Sequence, residues 1–261
     1  MKILFIGDIV GRPGRQMVAR HLASLVDRHL LDLVIANAEN AAAGFGVTPD
    51  VVAELFDMGI DVLTTGNHIW DKRESLPILE QEPRILRPGN YPPGLPGKGW
   101  GIFRTNADVA VAVVNLEGRV FMNNLDCPFR AADAILDELR ARTPIVLVDF
   151  HAETTSEKGA MGAYLDGRVS AVLGTHTHVQ TADERLMPGG TAFISDVGMT
   201  GSRDSVIGIR KELSVERFLT QVPVRFEVAK KEPMLCGAIV TIDEQTGRAQ
   251  AIERVQIVDL E

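Results

Sequence analysis

Four of the six histidines follow short apolar runs that are typical of buried strands. They are His68, His151, His176 and His178. The clearest case is the stretch 174–178, where an apolar run ends at a glycine and two histidines follow with one residue between them. Side chains two residues apart in an extended segment point to the same side, so we expect His176 and His178 to face one way. Because histidine is the commonest metal ligand, this pattern favours a metal site over a polar turn that happens to carry two histidines.

Side chains with oxygen ligands follow three other predicted strands. Asp8 comes directly after the run 2–7, Glu39 and Asn40 after 33–37, and Asn67 after 62–65. Sites in open α/β sheets gather at the carboxyl ends of strands, so these side chains are predicted to meet. A turn or helix-cap role for Asp8 is the alternative.

Together these side chains are more than one metal ion needs, and they suit two ions. Neither cysteine takes part, which excludes a structural zinc site, and the mixed ligands suit iron, manganese or zinc. Three glycines at 7, 11 and 14 also invite a phosphate-loop interpretation, but the Lys-Ser/Thr ending of that motif is absent.

Composition limits the class of protein. The 261 residues are 45% hydrophobic and 24% charged, as in a globular protein with a sizeable core. A net charge of −8 and the absence of a basic run argue against long nucleic acid as a partner, whereas a small anionic substrate stays open. No apolar stretch is long enough for a membrane span, and the N-terminus lacks the pattern of a signal peptide. With Cys127 and Cys236 interpreted as free thiols, we expect a cytoplasmic protein.

We expect a single domain over residues 1–261, with a cap insertion around 71–105, where proline and glycine are frequent. A surface excursion without a role is the alternative for that segment. The C-terminal third is predicted to be rich in strands, at 225–229, 234–243 and 249–259, and the last two are predicted to form a hairpin.

The order of these motifs resembles the calcineurin-like metallophosphoesterases. The matching motifs are Gly7-Asp8, Glu39-Asn40, Gly66-Asn67-His68, His151 and Gly174-Thr175-His176-Thr177-His178. Three positions depart from the general pattern: Val10 replaces a ligand histidine, Glu39 a bridging aspartate, and Ile69 a glutamate. These departures match the YmdB-like phosphodiesterase branch, which the chain resembles over nearly its whole length.

The resemblance implies a four-layer αββα sandwich, with two mixed sheets flanked by helices and ligands on loops at the strand ends. It implies one metal ion held by Asp8, Glu39, Asn40 and His178, and another held by Glu39, Asn67, His151 and His176. Glu39 would bridge the two ions. His68 would be the general acid instead of a ligand, and a residue that only orients a ligand is the alternative.

The implied activity is a dinuclear metal-dependent phosphodiesterase that hydrolyses 2′,3′-cyclic nucleotides to 3′-nucleotides. A metal-bridging hydroxide would attack in line while His68 protonates the leaving oxygen, with iron as the expected metal and manganese or zinc as alternatives. The open alternatives are another small phosphoester, an amide substrate, and a metal-containing regulator that acts through partner binding. We further expect a homo-oligomer.

Several side chains are candidates for substrate contacts. Trp70, Phe45 and Phe121 could stack on a base, although each is more often found in core packing. Four loop arginines could touch phosphate or simply lie in solvent: Arg12, Arg73, Arg119 and Arg203.

Overall fold

The computed structural model describes residues 1–259, which form two mixed β-sheets with helices on their outer faces. The strands of the first sheet are β1 (Lys2–Ile6), β2 (Asp8–Ile9), β3 (Leu33–Asn37), β4 (Val62–Thr64), β11 (Met199–Ser202), β12 (Pro233–Ile242) and β13 (Ala249–Val258). Those of the second sheet are β5 (Trp100–Arg104), β6 (Ala110–Glu117), β7 (Val146–His151), β8 (Ala171–Thr175), β9 (Arg185–Leu186) and β10 (Ala192–Ile194). The helices are α1 (Gly11–His29), α2 (Pro49–Asp57), α3 (Ser75–Gln81), α4 (Pro128–Leu139), α5 (Thr155–Leu165) and α6 (Lys211–Thr220).

Each sheet contains a run of neighbouring parallel strands. The first sheet has the order β2-β11-β12-β1-β3-β4, with β13 also paired to β12, and β1, β3 and β4 run parallel. The second has the order β5-β6-β7-β8-β10-β9, in which β6, β7, β8 and β10 run parallel. The carboxyl ends of these strands are therefore shared edges on which side chains from distant parts of the sequence can meet.

Alternation along the strands builds three separate apolar layers. In β1, Ile3 and Phe5 point between the sheets, while Leu4 and Ile6 pack against the helices on the outer face. In β7, Leu147 belongs to the layer between the sheets, and Val148 packs towards α4 and α5. The predicted αββα sandwich is confirmed, because two helical layers cover the two sheets.

The C-terminal hairpin is also confirmed, since β12 and β13 pair antiparallel across the turn at 243–248. The strand predicted at 225–229 was wrong. That segment forms only an isolated bridge between Ile209 and Val228, because it leaves the sheet to lie against a loop.

The segment expected as a cap contributes α3 and then enters the second sheet as β5. Within it, Ile85 forms a bridge to Leu63 of β4, and Leu86 forms one to Lys98. A separate cap at 71–105 within one domain stays a prediction.

Helix α6 packs only weakly on the rest of the chain, because Ser214 is its one buried residue. Val215, Phe218 and Leu219 on this helix are exposed. Among residues 1–259, no helix has the length and apolar character needed to cross a membrane.

Candidate metal centre

The structure brings all eight predicted site residues to one edge of the sandwich, at the carboxyl ends of five strands. Asp8 follows β1, Glu39 and Asn40 follow β3, and the turn with Asn67 and His68 follows β4. From the facing sheet, His151 ends β7, and His176 and His178 follow β8. Contacts between atoms divide most of these side chains into two groups.

In the first group, three potential ligand atoms surround Nε2 of His151. This nitrogen lies 3.1 Å from Oε1 of Glu39 and 3.0 Å from Oδ1 of Asn67. Nδ1 of His176 is also 3.0 Å away. Glu39, His151 and His176 each offer one ligand atom, and these atoms lie within 4.8 Å of one another, as a shared cation requires.

A chain of buried hydrogen bonds through Thr175 and Asp149 fixes the proton on one nitrogen of the His151 ring. Thr175 donates its hydroxyl proton to Oδ1 of Asp149 over 2.6 Å. The same hydroxyl oxygen, 2.9 Å from Nδ1 of His151, must then accept a hydrogen bond from the ring. When the His151 ring is neutral, its proton therefore lies on Nδ1, which leaves Nε2 as a free electron pair directed at the first group.

Glu153 likewise fixes which ring nitrogen of His176 carries the proton. Oε2 of Glu153 lies 3.1 Å from Nε2 of His176, so this nitrogen donates and Nδ1 is left free towards His151. Two free ring nitrogens that face each other and two acceptor oxygens form a poor protein-only arrangement and a good cation site.

The second group contains Asp8, Asn40 and His178. Nδ1 of His178 donates to the backbone carbonyl of Ile207 over 2.8 Å, so Nε2 is free. This Nε2 lies 3.3 Å from Oδ1 of Asn40 and 3.8 Å from Oδ1 of Asp8. Oδ1 of Asp8 is fully buried and has no hydrogen-bond partner among residues 1–259, which again fits a metal ion.

Charge in the site points the same way. Burial alone would raise the pKa of Glu39, but attraction to His151 and a hydrogen bond from it lower this pKa to about 2. Burial would lower the pKa of His151, yet Glu39 and Asp8 raise it to about 9. The acidic pocket thus stabilises the protonated, positively charged form of His151. A metal ion at this position would compete with that proton.

His176 differs because it lies beside a positive neighbour. Burial and the charge on His151 lower the pKa of His176 to about 3, so its ring stays neutral at physiological pH. A neutral imidazole is the form that binds metals.

The expectation of an extended segment through the two histidines was wrong. Strand β8 ends at Thr175, and the φ angles of His176 and His178 are 96° and 66°, in the left-handed region. Such angles cost roughly 1–3 kcal/mol per residue and persist only where the surroundings fix them. The pair therefore turns its rings towards different groups of ligands instead of facing one way.

A buried carboxylate fixes this turn. Oδ2 of Asp196 accepts hydrogen bonds from the backbone N and the hydroxyl of Thr177, at 3.0 and 2.7 Å. Lys158 from α5 forms an ion pair with the same oxygen at 2.7 Å, and both side chains are almost fully buried. The conformation of the two histidines thus depends on an ion pair that touches neither ring.

Gly66 permits the close approach of the two sheets at the site. A Cβ atom at this position would lie 2.2 Å from Cδ2 of His151 and 2.5 Å from Oε2 of Glu39. No residue larger than glycine fits there without displacing one of these side chains.

His68 lies beside the first group, where its backbone N donates to Oε2 of Glu39 over 3.0 Å. Nδ1 of its ring is 2.8 Å from Oδ2 of Asp71, and the ring packs edge-on against Phe45 at 5.0 Å. The ring lines a pocket of about 350 Å³, which also contains side chains of Glu39, Asn40, Glu153, His176 and His178.

The pocket has an apolar side and, among its lining residues within 1–259, no lysine or arginine. The apolar side is formed by Val10, Phe45, Ile207, Ile209 and Phe226. Of the predicted base-stacking residues, Phe45 lines the pocket, whereas Trp70 stacks on Tyr91 and Phe121 is 89% exposed elsewhere. None of the four candidate arginines lines the pocket.

Sequence reasoning missed most of the residues that orient the ligands. Asp149 and Glu153 were visible because they alternate with His151, but nothing assigned them a role. Asp71 and Asp196 lie in stretches that match the resembled branch, but no role was assigned to either. The carbonyl of Ile207 gave no signal, because it is a backbone group that only the tertiary structure brings to His178.

Comparison with known proteins shows the family of the chain. A model of the YmdB-like protein family matches residues 4–255. The chain is 49% identical over 259 residues to a 2′,3′-cyclic-nucleotide 2′-phosphodiesterase of Bacillus subtilis, covering 99% of this chain and 98% of that protein.

Two solved structures are similar over almost their whole length. One is a hypothetical protein from Thermus thermophilus, with a TM-score of 0.94, 44% identity and 100% of both chains covered. The other, described as a novel phosphatase, comes from Mycoplasma pneumoniae, with a TM-score of 0.92, 35% identity, and 99% and 93% covered. The sandwich is that of the phosphoesterase-like folds. The chain belongs to the YmdB-like protein family.

Removal of the buried ammonium should loosen the loop that carries His176 and His178. In Lys158→Met the Asp196 carboxylate would remain buried without its partner, at a cost of about 3–5 kcal/mol in the free energy of unfolding. Urea denaturation of chelator-treated protein measures this loss. Arg104→Met, which breaks an exposed ion pair with Asp108, is the control and should cost less than about 1 kcal/mol. Equal losses would show that the buried pair does not fix the fold.

Proposed function

We propose that the chain is a dinuclear metal-dependent phosphodiesterase that opens 2′,3′-cyclic nucleotides at the 2′ oxygen to give 3′-nucleotides. The observation that carries this proposal is the orientation of three imidazole rings, those of His151, His176 and His178. One ring nitrogen of each donates a hydrogen bond to an acceptor outside the site, and the other nitrogen lies among carboxylate and amide oxygens. The substrate comes from the name of the B. subtilis relative.

The proposed ligands follow the two groups of contacts. Glu39, Asn67, His151 and His176 would hold one ion, and Asp8, Asn40 and His178 the other, with Glu39 as the bridging ligand. Iron is the metal we expect, with manganese or zinc as alternatives. When bound, the ions would supply positive charge for the phosphate oxygens and lower the pKa of a water molecule.

His68 is the proposed general acid. Asp71 accepts a hydrogen bond from its Nδ1, so Nε2 is the atom that can carry a proton to the departing oxygen. The oxygen of a water molecule forms a bond to phosphorus while one proton of that water passes to solvent, the bond from phosphorus to the 2′ oxygen breaks, and the proton of His68 goes to that oxygen. Solvent then returns a proton to His68.

The charge of the pocket favours diesters over monoesters. Glu153 is half exposed at the pocket, and no lysine or arginine is among the residues that line it in the described chain. A monoester carries more negative charge than a diester does, so Glu153 would offset more of the attraction that the bound ions would supply. This supports a phosphodiesterase over a phosphatase. A cytoplasmic location, a homo-oligomeric state and the absence of long nucleic acid as a partner remain predictions from the sequence.

His68→Ala should separate catalysis from metal binding. We expect turnover of 2′,3′-cyclic AMP to fall by roughly 10²–10⁴-fold because the leaving oxygen loses its proton donor. Metal content, measured by atomic emission, should stay at the wild-type level. His29→Ala in the last turn of α1 is the matched control and should change neither quantity. Loss of metal in His68→Ala would make this histidine a ligand.

Glu39→Gln should remove the charge that both ions would share. The amide keeps the shape of the side chain but cannot balance two cations, so we expect loss of at least one metal ion per chain and loss of activity. Glu80→Gln, an exposed change on α3, is the control. A fully active Glu39→Gln protein with two ions per chain would exclude the bridging role.

A further inference from the structure

A strained hairpin stands at the apolar side of the pocket. Val206 and Ile209 exchange backbone hydrogen bonds of 2.9 and 3.0 Å around a two-residue turn. Both turn residues have positive φ angles, 46° for Ile207 and 95° for Gly208. Asn-Gly is the favoured pair for such a turn, and a β-branched residue at positive φ is an outlier. Ile207 therefore occupies a position that its backbone does not favour.

The side chain of Ile207 gains no burial in return. It is 50% exposed and lines the pocket, while its carbonyl accepts the hydrogen bond from His178. A backbone carbonyl is available from any residue type, so the contact with His178 does not require isoleucine. An apolar side chain held in a strained turn beside a reaction site points to contact with a ligand.

Phe226 belongs to the same surface through backbone pairing. Glu227 and Ala229 form hydrogen bonds with Arg210 and Gly208, both at 2.9 Å, and so align the segment after Phe226 with the hairpin. Phe226 is 39% exposed and also lines the pocket.

The hairpin is held at a fixed distance from the proposed ligands. A Cβ atom at Gly208 would lie 2.7 Å from Cγ1 of Val10, so the turn packs directly on Val10 next to Asp8. With His178 bonded to the Ile207 carbonyl, the apolar surface and the second group of ligands form one rigid unit.

We propose that Ile207 and Phe226 form the subsite for the nucleobase and determine the preference of the enzyme for nucleotides over small cyclic phosphates. The inference rests on the proposed phosphodiesterase function. A planar base attached to a sugar would cover both exposed side chains while its phosphate lies at the metal centre, and aromatic side chains bind bases through stacking regardless of base identity. The subsite should therefore tolerate all four bases.

The test compares 2′,3′-cyclic AMP with ethylene phosphate, a five-membered cyclic phosphate without sugar or base. In Ile207→Asn and Phe226→Ala we expect the ratio of kcat/KM for the nucleotide to that for ethylene phosphate to fall roughly tenfold, mainly through KM. Equilibrium dialysis of 3′-AMP against the metal-loaded protein should show a similar loss of affinity. Asparagine suits the turn, so Ile207→Asn should keep or raise the melting temperature.

Phe218→Ala is the matched control, because Phe218 is 75% exposed on α6 and does not line the pocket. Its substrate ratio should equal that of the wild type. An unchanged ratio in both pocket variants, or an equal fall on both substrates, would overturn the subsite. A shift to a smaller species in size-exclusion chromatography, shared by Phe226→Ala and Phe218→Ala, would instead assign this surface to contact between copies of the chain.

The proposed function fails in a different way. If the wild-type protein hydrolyses neither substrate, the phosphodiesterase proposal is wrong, whereas binding of 3′-AMP by the three variants still decides the subsite. If it hydrolyses both substrates with the same kcat/KM, only the subsite is excluded.

Discussion

The site depends on where the protons of three imidazole rings are held. Thr175, Glu153 and the carbonyl of Ile207 each accept a hydrogen bond from the outer nitrogen of one ring, which leaves the inner nitrogen free. If a proton moved to an inner nitrogen, that ring could no longer bind a metal ion. The arrangement of these acceptors therefore determines the chemistry as much as the ligands do.

Residues from both sheets hold the site in place, one by allowing a close approach and another by fixing a strained loop. Gly66 brings the turn after β4 close to β7, while Asp196 holds the loop after β8 in a strained conformation. Rigid strands set the distance between the groups, and buried polar contacts set the direction of each ring. Burial is essential for setting the direction of the rings, since a Lys158–Asp196 pair exposed to solvent would contribute little to stability.

Much of this was predictable from local sequence patterns. Strands, helices and the last hairpin follow from apolar periodicity, and the convergence of His68, His151 and the other strand-end residues follows from the rule that parallel strands share an edge. The left-handed backbone at His176 was not predictable, because it depends on Asp196, which lies 19 residues after its partner Thr177. The failed strand at 225–229 has a similar cause, since its partner is a loop that only the tertiary structure brings near.

Val10 is one of the three positions at which the sequence departs from the general pattern that it resembles. A histidine there is a metal ligand in the general pattern, and here Asn40 lies beside His178 instead. The apolar Val10 side chain supports Gly208, and so allows the hairpin to pack against the centre. A charged or hydrated ring in that position could not pack against the turn in the same way. Val10 thus supports the apolar side of the pocket directly beside the proposed ligands Asp8 and Asn40.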